Sequence, residues 1–182
     1  FHPNIYKYEE IFKQEGWHYE LEDADSPITI NGVVYNEMKG ALADPESQLS
    51  GVISRAIFGE TTYGFESGGD PKAIPDLTYE NFIDFHKKYY HPSNAYFFLY
   101  GDMEPLACLE HIHEDYLAHF EVSTELPVIE ETEFVEKGKI ISDTYAVSEE
   151  DEESGTYLTY ALKVGKCTDP ERIMALQILS YV

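Results

Sequence analysis

The chain has 182 residues, of which 43% are hydrophobic and 14% aromatic, so it has enough apolar side chains for a folded core and is not typical of a disordered protein. Its formal net charge of −23 argues against nucleic acid as a partner, because phosphates bind basic surfaces, and favours cationic partners. No apolar run approaches the roughly 20 residues of a membrane-spanning helix, so we expect no membrane partner.

The first third of the chain predicts two strands among three helices. Residues 4–17, "NIYKYEEIFKQEGW", have the apolar spacing of a helix that ends at Gly16. Two extended segments, 18–23 and 26–30, bracket a short turn. A short helix over "GVVYNEMKGA" follows, and a Pro-Glu pair after Asp44 opens a separate helix that continues to Gly59.

The middle of the chain alternates a long loop with helices and one strand. Residues 61–77 are rich in Gly and Pro and predict an ordered loop, and Thr78 is a candidate N-cap for a helix that runs to Tyr90. The length and aromatic content of "NAYFFLYGD", residues 94–102, predict a buried strand. Residues 104–120 have the spacing of another helix. The order of elements is mixed, without a βαβ rhythm.

The last third predicts a linker and the opening of a second unit. Residues 122–139 contain Pro127 and an acidic bias, which are typical of an interdomain linker. The segments 140–147 and 156–164 alternate like two paired strands, separated by the acidic turn "SEEDEESG". Asp169 and the Pro-Glu pair after it then open a final helix.

A carboxylate at Glu37 stands out within the short helix. At 3.6 residues per turn its neighbours on the same face are all non-polar: Ile30, Val33, Val34, Gly40 and Ala41. An ionised carboxylate loses hydration when such a stripe is buried. Glu37 is therefore exposed, paired with a Lys or Arg, or bound to a metal ion, and the spacing alone leaves all three open.

Other candidate groups have weaker signals. "CLEHIHED" brings His111 and His113 together, but on a helix they point about 200° apart and cannot chelate one ion. His86 lies on an aromatic stripe, which favours a packed, hydrogen-bonded histidine. "ESGGDP" lacks both phosphate-loop patterns and is interpreted as a turn. The two cysteines lack CxxC spacing, and no GxSxG elbow is present.

Long blocks of the chain resemble the presequence-protease branch of the pitrilysin and insulinase family of zinc metallopeptidases. The blocks are "NIYKYEEIFKQEGWHYELE", "GVVYNEMKGA" and "TYGFESGGDPKAIPDLTYENFIDFHKKYYHPSNA" with "YGD" after it. The resemblance continues more loosely through "YLTYALKVGKCTDPERIMALQIL". Such long gapped similarity is far more specific than a single short motif.

The resemblance implies a zinc cofactor and a role for Glu37. The family has an inverted motif, HxxEH, in which two histidines bind Zn²⁺ and the glutamate activates water. A third ligand is a glutamate on a downstream helix, and the matching position is Glu37. This chain has no HxxEH motif, so we expect a fragment whose motif lies upstream of Phe1, or a degenerate relative. The fragment alone is expected to bind no catalytic zinc and to be inactive.

The resemblance also implies the fold and the organisation of domains. We expect an α+β fold of the metallopeptidase type, with an antiparallel sheet and helices packed on one face, in two homologous halves around a peptide chamber. Residues 1–121 would be the later part of the first domain, 122–139 the linker, and 140–182 the start of the second domain.

Two functions are compatible with these implications. The first is a zinc metalloendopeptidase that hydrolyses unstructured, preferably cationic, peptides. The second is a non-catalytic peptide-binding or scaffold half with the same fold. We expect a cytoplasmic location, or an organellar one if the source is eukaryotic.

Overall fold

The computed structural model describes residues 2–132, 138–147 and 155–181. Two compact units are present. Unit 1 comprises Phe1–Asp44 and Glu66–Glu130, and unit 2 comprises Pro45–Phe65 and Glu131–Val182. Part of the predicted linker and all but one residue of the predicted acidic turn lie outside the described residues. The predicted domain limits stay predictions.

Unit 1 begins with a helix that is shorter than the sequence predicts. A 3₁₀ turn over Asn4–Tyr6 is followed by α1, Glu10–Glu15, so the expected continuous helix is interrupted. The Tyr79 hydroxyl donates to the carbonyl of Ile5 over 2.6 Å, and that carbonyl is the one that a continuous helix would use for its next hydrogen bond. The end of the helix at Gly16 is confirmed, since the Gly16 amide donates to the Phe12 carbonyl over 2.8 Å.

The two extended segments after α1 form a small antiparallel sheet. β1, His18–Glu20, pairs with β2, Thr29–Asn31, and places His18 opposite Asn31. An Asp23 side chain accepts from the Asp25 amide over 2.9 Å and organises the turn between them. Helix α2, Val33–Ala41, starts two residues after β2 ends, so the sheet directly determines where α2 begins.

The remaining helices begin close to the predicted caps. In unit 1, α4 spans Tyr79–Tyr89 behind a capping box in which Thr78 and Asn81 each bond the backbone of the other. Helix α5, Pro105–Asp115, is shorter than predicted, because the chain leaves helical geometry at Tyr116 and continues as a 3₁₀ turn.

The described part of unit 2 contains two α-helices. Helix α3 spans Pro45–Phe58, and helix α6 spans Pro170–Leu179 and is capped by Asp169, which accepts from the Arg172 amide over 3.0 Å. Helices together with an antiparallel sheet confirm the α+β class. In the described ranges no helix is both long and apolar enough to cross a membrane.

The predicted buried strand at residues 94–102 is wrong. Residues 95–100 have no regular secondary structure, and the side chains of Tyr96, Phe98 and Tyr100 are almost fully exposed. A strand requires a hydrogen-bonded neighbour, and among the described residues only β1 and β2 form such a ladder. The apolar composition of this segment predicted an extended strand. Composition does not indicate whether another strand lies beside it.

The predicted strand pair in unit 2 is also absent from the described residues, where 140–147 and 156–164 have no ladder. The two segments nevertheless meet through side chains. The Tyr145 hydroxyl donates to the Gly155 carbonyl over 2.6 Å, and the rings of Tyr145 and Tyr157 lie 5.7 Å apart.

Buried apolar side chains are few in the part of the chain that the structure describes. They are Met38, Ile74, Ile83 and Ile112, all in unit 1. Met38 belongs to α2, and Ile74 lies on the Gly-rich loop after residue 65. The core of unit 1 therefore includes the helix that carries Glu37.

Candidate functional site

The side chain of Glu37 lies on the exposed face of α2. Val33 and Val34, its neighbours on that face, are 52% and 36% exposed, and Gly40 and Ala41 are exposed as well. Among the described residues, no hydrogen bond or ion pair is recorded for Glu37. The sequence left three alternatives for this carboxylate: exposure, pairing with a Lys or Arg, and metal binding. In the structure Glu37 is exposed on an apolar face, and it has no cationic partner in the described ranges.

The face of α2 that carries Met38, about 100° around the helix from Glu37, packs on the Gly-rich loop. Met38 is only 8% exposed, and a Cβ added at Gly68 would lie 2.2 Å from the Met38 sulfur. The loop is closed by a hydrogen bond of 3.0 Å from the Gly69 amide to the Glu66 carbonyl. A side chain at position 68 would therefore displace the Met38 side chain from its present position.

The N-terminal end of α2 is anchored by the side chain of Asn31. Its Oδ1 accepts from the Gly32 amide over 2.8 Å and from Asn36 Nδ2 over 2.5 Å. Its Nδ2 donates to Glu20 Oε2 over 2.7 Å. One carboxamide on β2 thus links β1 to the first turns of α2.

A close backbone approach adds a second anchor at the same end. A Cβ added at Gly32 would lie 2.2 Å from the Gly16 carbonyl oxygen, which excludes any larger residue at this point. The same oxygen accepts from the Tyr35 amide over 3.3 Å. The end of α1 and the start of α2 are therefore in direct contact.

The described residues contain one candidate zinc ligand, Glu37, and they do not form a complete zinc site. An exposed carboxylate is a suitable oxygen donor, and the apolar surface around it is open to another helix. A catalytic zinc needs three protein ligands and a water, whereas no cluster of three His, Cys, Asp or Glu side chains occurs within the described ranges. The metal role of Glu37 stays a prediction.

Two other sequence candidates, His111 and His86, lie apart from Glu37 in the chain and have partners of their own. The helical spacing assumed for "CLEHIHED" is confirmed by α5, on which His111 Nδ1 lies 3.4 Å from Asp115 Oδ2. His86 is partly buried, its Nδ1 lies 2.8 Å from the Tyr6 hydroxyl, and its ring stacks on Tyr90 at 4.4 Å. Burial lowers the pKa of His86.

The sequence did not reveal the residues that support α2. Four residues contact α2 or its start and were not identified as a group: Asn31, Gly32, Asn36 and Gly68. Each makes a contact between different segments, and the spacing of residues within one helix or strand does not predict such contacts. The one available signal was the Asn-Gly pair between the end of a predicted strand and the start of a predicted helix.

Comparison with known proteins assigns the family. A family model described as the Peptidase M16 inactive domain matches residues 76–182. Protein HypA of Clostridium perfringens (strain 13 / Type A) is 47% identical over 182 residues, which is 100% of this chain and 19% of that protein. The chain is thus about a fifth as long as this relative.

Two further relatives are named presequence proteases. Presequence protease 1, chloroplastic/mitochondrial, of Arabidopsis thaliana is 49% identical over 123 residues, covering 68% of this chain and 11% of that protein. The mitochondrial presequence protease of Xenopus tropicalis is 38% identical over 175 residues, covering 93% and 17%. The chain belongs to the peptidase M16 family, the pitrilysin and insulinase family that its sequence resembles, and within it to the presequence-protease branch.

Proposed function

We propose that this chain is part of a zinc metalloendopeptidase that hydrolyses unstructured peptides in a closed chamber, with Glu37 as one of the zinc ligands. The observation that carries the proposal is the Glu37 carboxylate, which is exposed at the centre of an apolar helix face in a chain of this family. An unpaired carboxylate on such a surface is free to bind a cation that a second helix brings to it.

The residues of this chain would orient the ligand and contribute to the wall of the chamber. Glu37 would hold the ion through a carboxylate oxygen, and Val33, Val34 and Ala41 would exclude water around it. A zinc ion bound there would act as a Lewis acid and lower the pKa of a bound water. The two histidines and the catalytic glutamate would come from an HxxEH motif that this sequence does not contain.

We propose peptides as substrates, with a preference for cationic ones. The relatives named presequence proteases act, by that name, on presequences. The acidic surface supports the preference, since a net charge of −23 attracts cations over long range. The names of these relatives are consistent with an organellar location if the source is eukaryotic. The cytoplasmic location stays a prediction.

The second candidate function is a non-catalytic half that binds peptide or acts as a scaffold. It is favoured by one observation, the match of residues 76–182 to a model described as an inactive domain. Glu37 lies outside that match. A test of the Glu37 side chain therefore discriminates between the two functions.

The test is Glu37→Gln in the full-length protein, which preserves size and removes the anionic charge. We expect zinc affinity and kcat/KM to fall at least about 10 to 100-fold, because loss of a group that only supports a ligand already costs that much. The matched control is Glu110→Gln, which changes another exposed glutamate of unit 1 and should leave both unchanged. If Glu37→Gln keeps its zinc and more than about a tenth of its activity, Glu37 is not a ligand.

A further inference from the structure

The Glu37 carboxylate depends on its helix for its position. Among the described residues it has no hydrogen bond of its own, so the range of positions that its side-chain torsions can reach is set by the backbone of α2. A helix with its side chains is about 10–12 Å across, so a rotation of about 10° moves a side-chain tip by about 1 Å. Ligand distances in metal sites hold to about 0.2 Å. Whatever sets the rotation of α2 therefore sets the geometry of the ligand.

We infer that Asn31 is the positioning residue for Glu37. It acts through the start of α2 and through Asn36, the residue directly before Glu37. This inference rests on the proposed function, because it assumes that Glu37 binds the metal. It assigns to a side chain of the small sheet a role in metal affinity.

The contacts form a continuous path from the sheet to the ligand. Glu20 of β1 accepts from Asn31 Nδ2 over 2.7 Å, and Asn31 Oδ1 accepts from Asn36 Nδ2 over 2.5 Å. The bond between Asn31 Oδ1 and the Gly32 amide, 2.8 Å long, fixes the backbone just before the first turn. Because Asn36 lies on α2 itself, its bond to a strand residue opposes rotation of the helix about its axis.

Only a carboxamide fits between these partners. The Gly32 amide and Asn36 Nδ2 both require an acceptor, whereas the Glu20 carboxylate requires a donor, and Asn has both on one planar group. These partners also determine which end of the Asn31 amide is oxygen. An aspartate at position 31 would keep the two acceptor bonds and place a second carboxylate against Glu20.

The test uses the full-length protein and measures the zinc dissociation constant, with the melting temperature of the same preparations. Asn31→Ala removes all three bonds, and we expect zinc affinity to fall at least about tenfold. Asn31→Asp should also weaken binding. The double variant E20Q/N31D should recover most of the affinity. In it the amide introduced at position 20 donates to the carboxylate introduced at position 31, and the net charge is unchanged.

The matched control is Asn81→Ala. Asn81 also bonds backbone at the start of a helix, accepting from the Thr78 amide over 3.0 Å, but on α4. Asn81→Ala should lower the melting temperature without lowering zinc affinity. If Asn31 had a purely structural role, Asn31→Ala would likewise lower the melting temperature and leave zinc affinity unchanged. If Asn31→Ala does not fold, the zinc affinities of Asn31→Asp and E20Q/N31D still test whether the hydrogen bonds of Asn31 affect zinc binding.

The outcomes separate the inference from the proposed function. Loss of zinc in Glu37→Gln, with Asn31→Asp and Asn31→Ala unchanged in affinity, overturns the inference and leaves the proposed function intact. Zinc binding that survives Glu37→Gln overturns both. Loss of affinity in Asn31→Asp that E20Q/N31D does not restore also overturns the inference, because the hydrogen-bond path would then not be its cause.

Discussion

The sulfur of Met38 occupies the space that a side chain at Gly68 would fill, since a Cβ there would lie 2.2 Å from Sδ. Met38 is the buried residue of α2, directly after Glu37, and Gly68 belongs to a loop about thirty residues further along the chain. The loop therefore sets how deeply α2 sits in unit 1. The buried Met38 and the exposed Glu37 are therefore adjacent residues of one helix, so a shift of α2 at Gly68 would also move Glu37.

Replacement of Gly68 with Ala should destabilise unit 1 by about 1–3 kcal/mol, as other overpacked sites do. Met38 would have to move, and we expect faster hydrogen exchange of the α2 amides. In a Met38→Ala background the same change should cost much less, because the clashing sulfur is gone.

The control for this prediction is Gly51→Ala in α3. No atom lies within 4 Å of a Cβ at that position, so alanine there should stabilise the helix by about 0.5–1 kcal/mol. Equal and additive costs of Gly68→Ala in the two backgrounds would contradict the Met38 contact.

The stability of unit 1 should fall as the pH is lowered through the titration of His86. Its folded pKa is depressed by burial, so the unfolded chain binds the proton more tightly. The stabilisation that comes from keeping His86 neutral is fully present above the ordinary pKa of about 6.5. It is lost as the pH falls towards the depressed pKa of the folded state. Melting temperature against pH between 7.5 and 5 measures it, a range chosen to bracket that ordinary pKa.

His86→Phe keeps a ring against Tyr90 and should flatten this pH dependence. The exposed His111 provides the control, and His111→Gln should leave the slope close to that of the unmodified protein. An unchanged slope in His86→Phe would mean that other groups cause the acid sensitivity.

The isolated 182-residue chain should bind no stoichiometric catalytic zinc and cleave no peptide. Under the proposed function it contributes only Glu37 to the three protein ligands that such a site needs, and the described residues contain no cluster of three potential ligands. Metal analysis of the purified chain and a quenched-fluorescent peptide assay check this. One tightly bound zinc that Glu37→Gln removes would show that the chain completes a site by itself.

Turnover of basic peptides by the full-length protein should fall as salt is added. The acidic surface raises the association rate by long-range attraction, and salt screens that attraction over about 8 Å at physiological ionic strength. Basic and acidic peptides of equal length serve as the matched pair. The same kcat/KM and the same salt response for both would mean that the charge contributes only to solubility.

Helices that have local start and stop signals are predictable from the amino-acid sequence. Thr78 with Asn81, and Asp169 with the proline after it, begin α4 and α6 where predicted, because caps act within four residues. The sequence also singled out Glu37, since a carboxylate among apolar residues is visible in a helical period. The family followed from long blocks of similarity that need no structure.

Features that depend on a partner distant in the chain are visible only in the folded structure. Tyr79 bonds the Ile5 carbonyl at the point where the first helix is interrupted, and residues 95–100 remain without a strand partner in the described ranges. The support of Glu37 is of the same kind, because Asn31 and Gly68 reach α2 from a strand and from a loop. A periodic pattern records which residues share a face of one element, and it contains no information on which other segment covers that face.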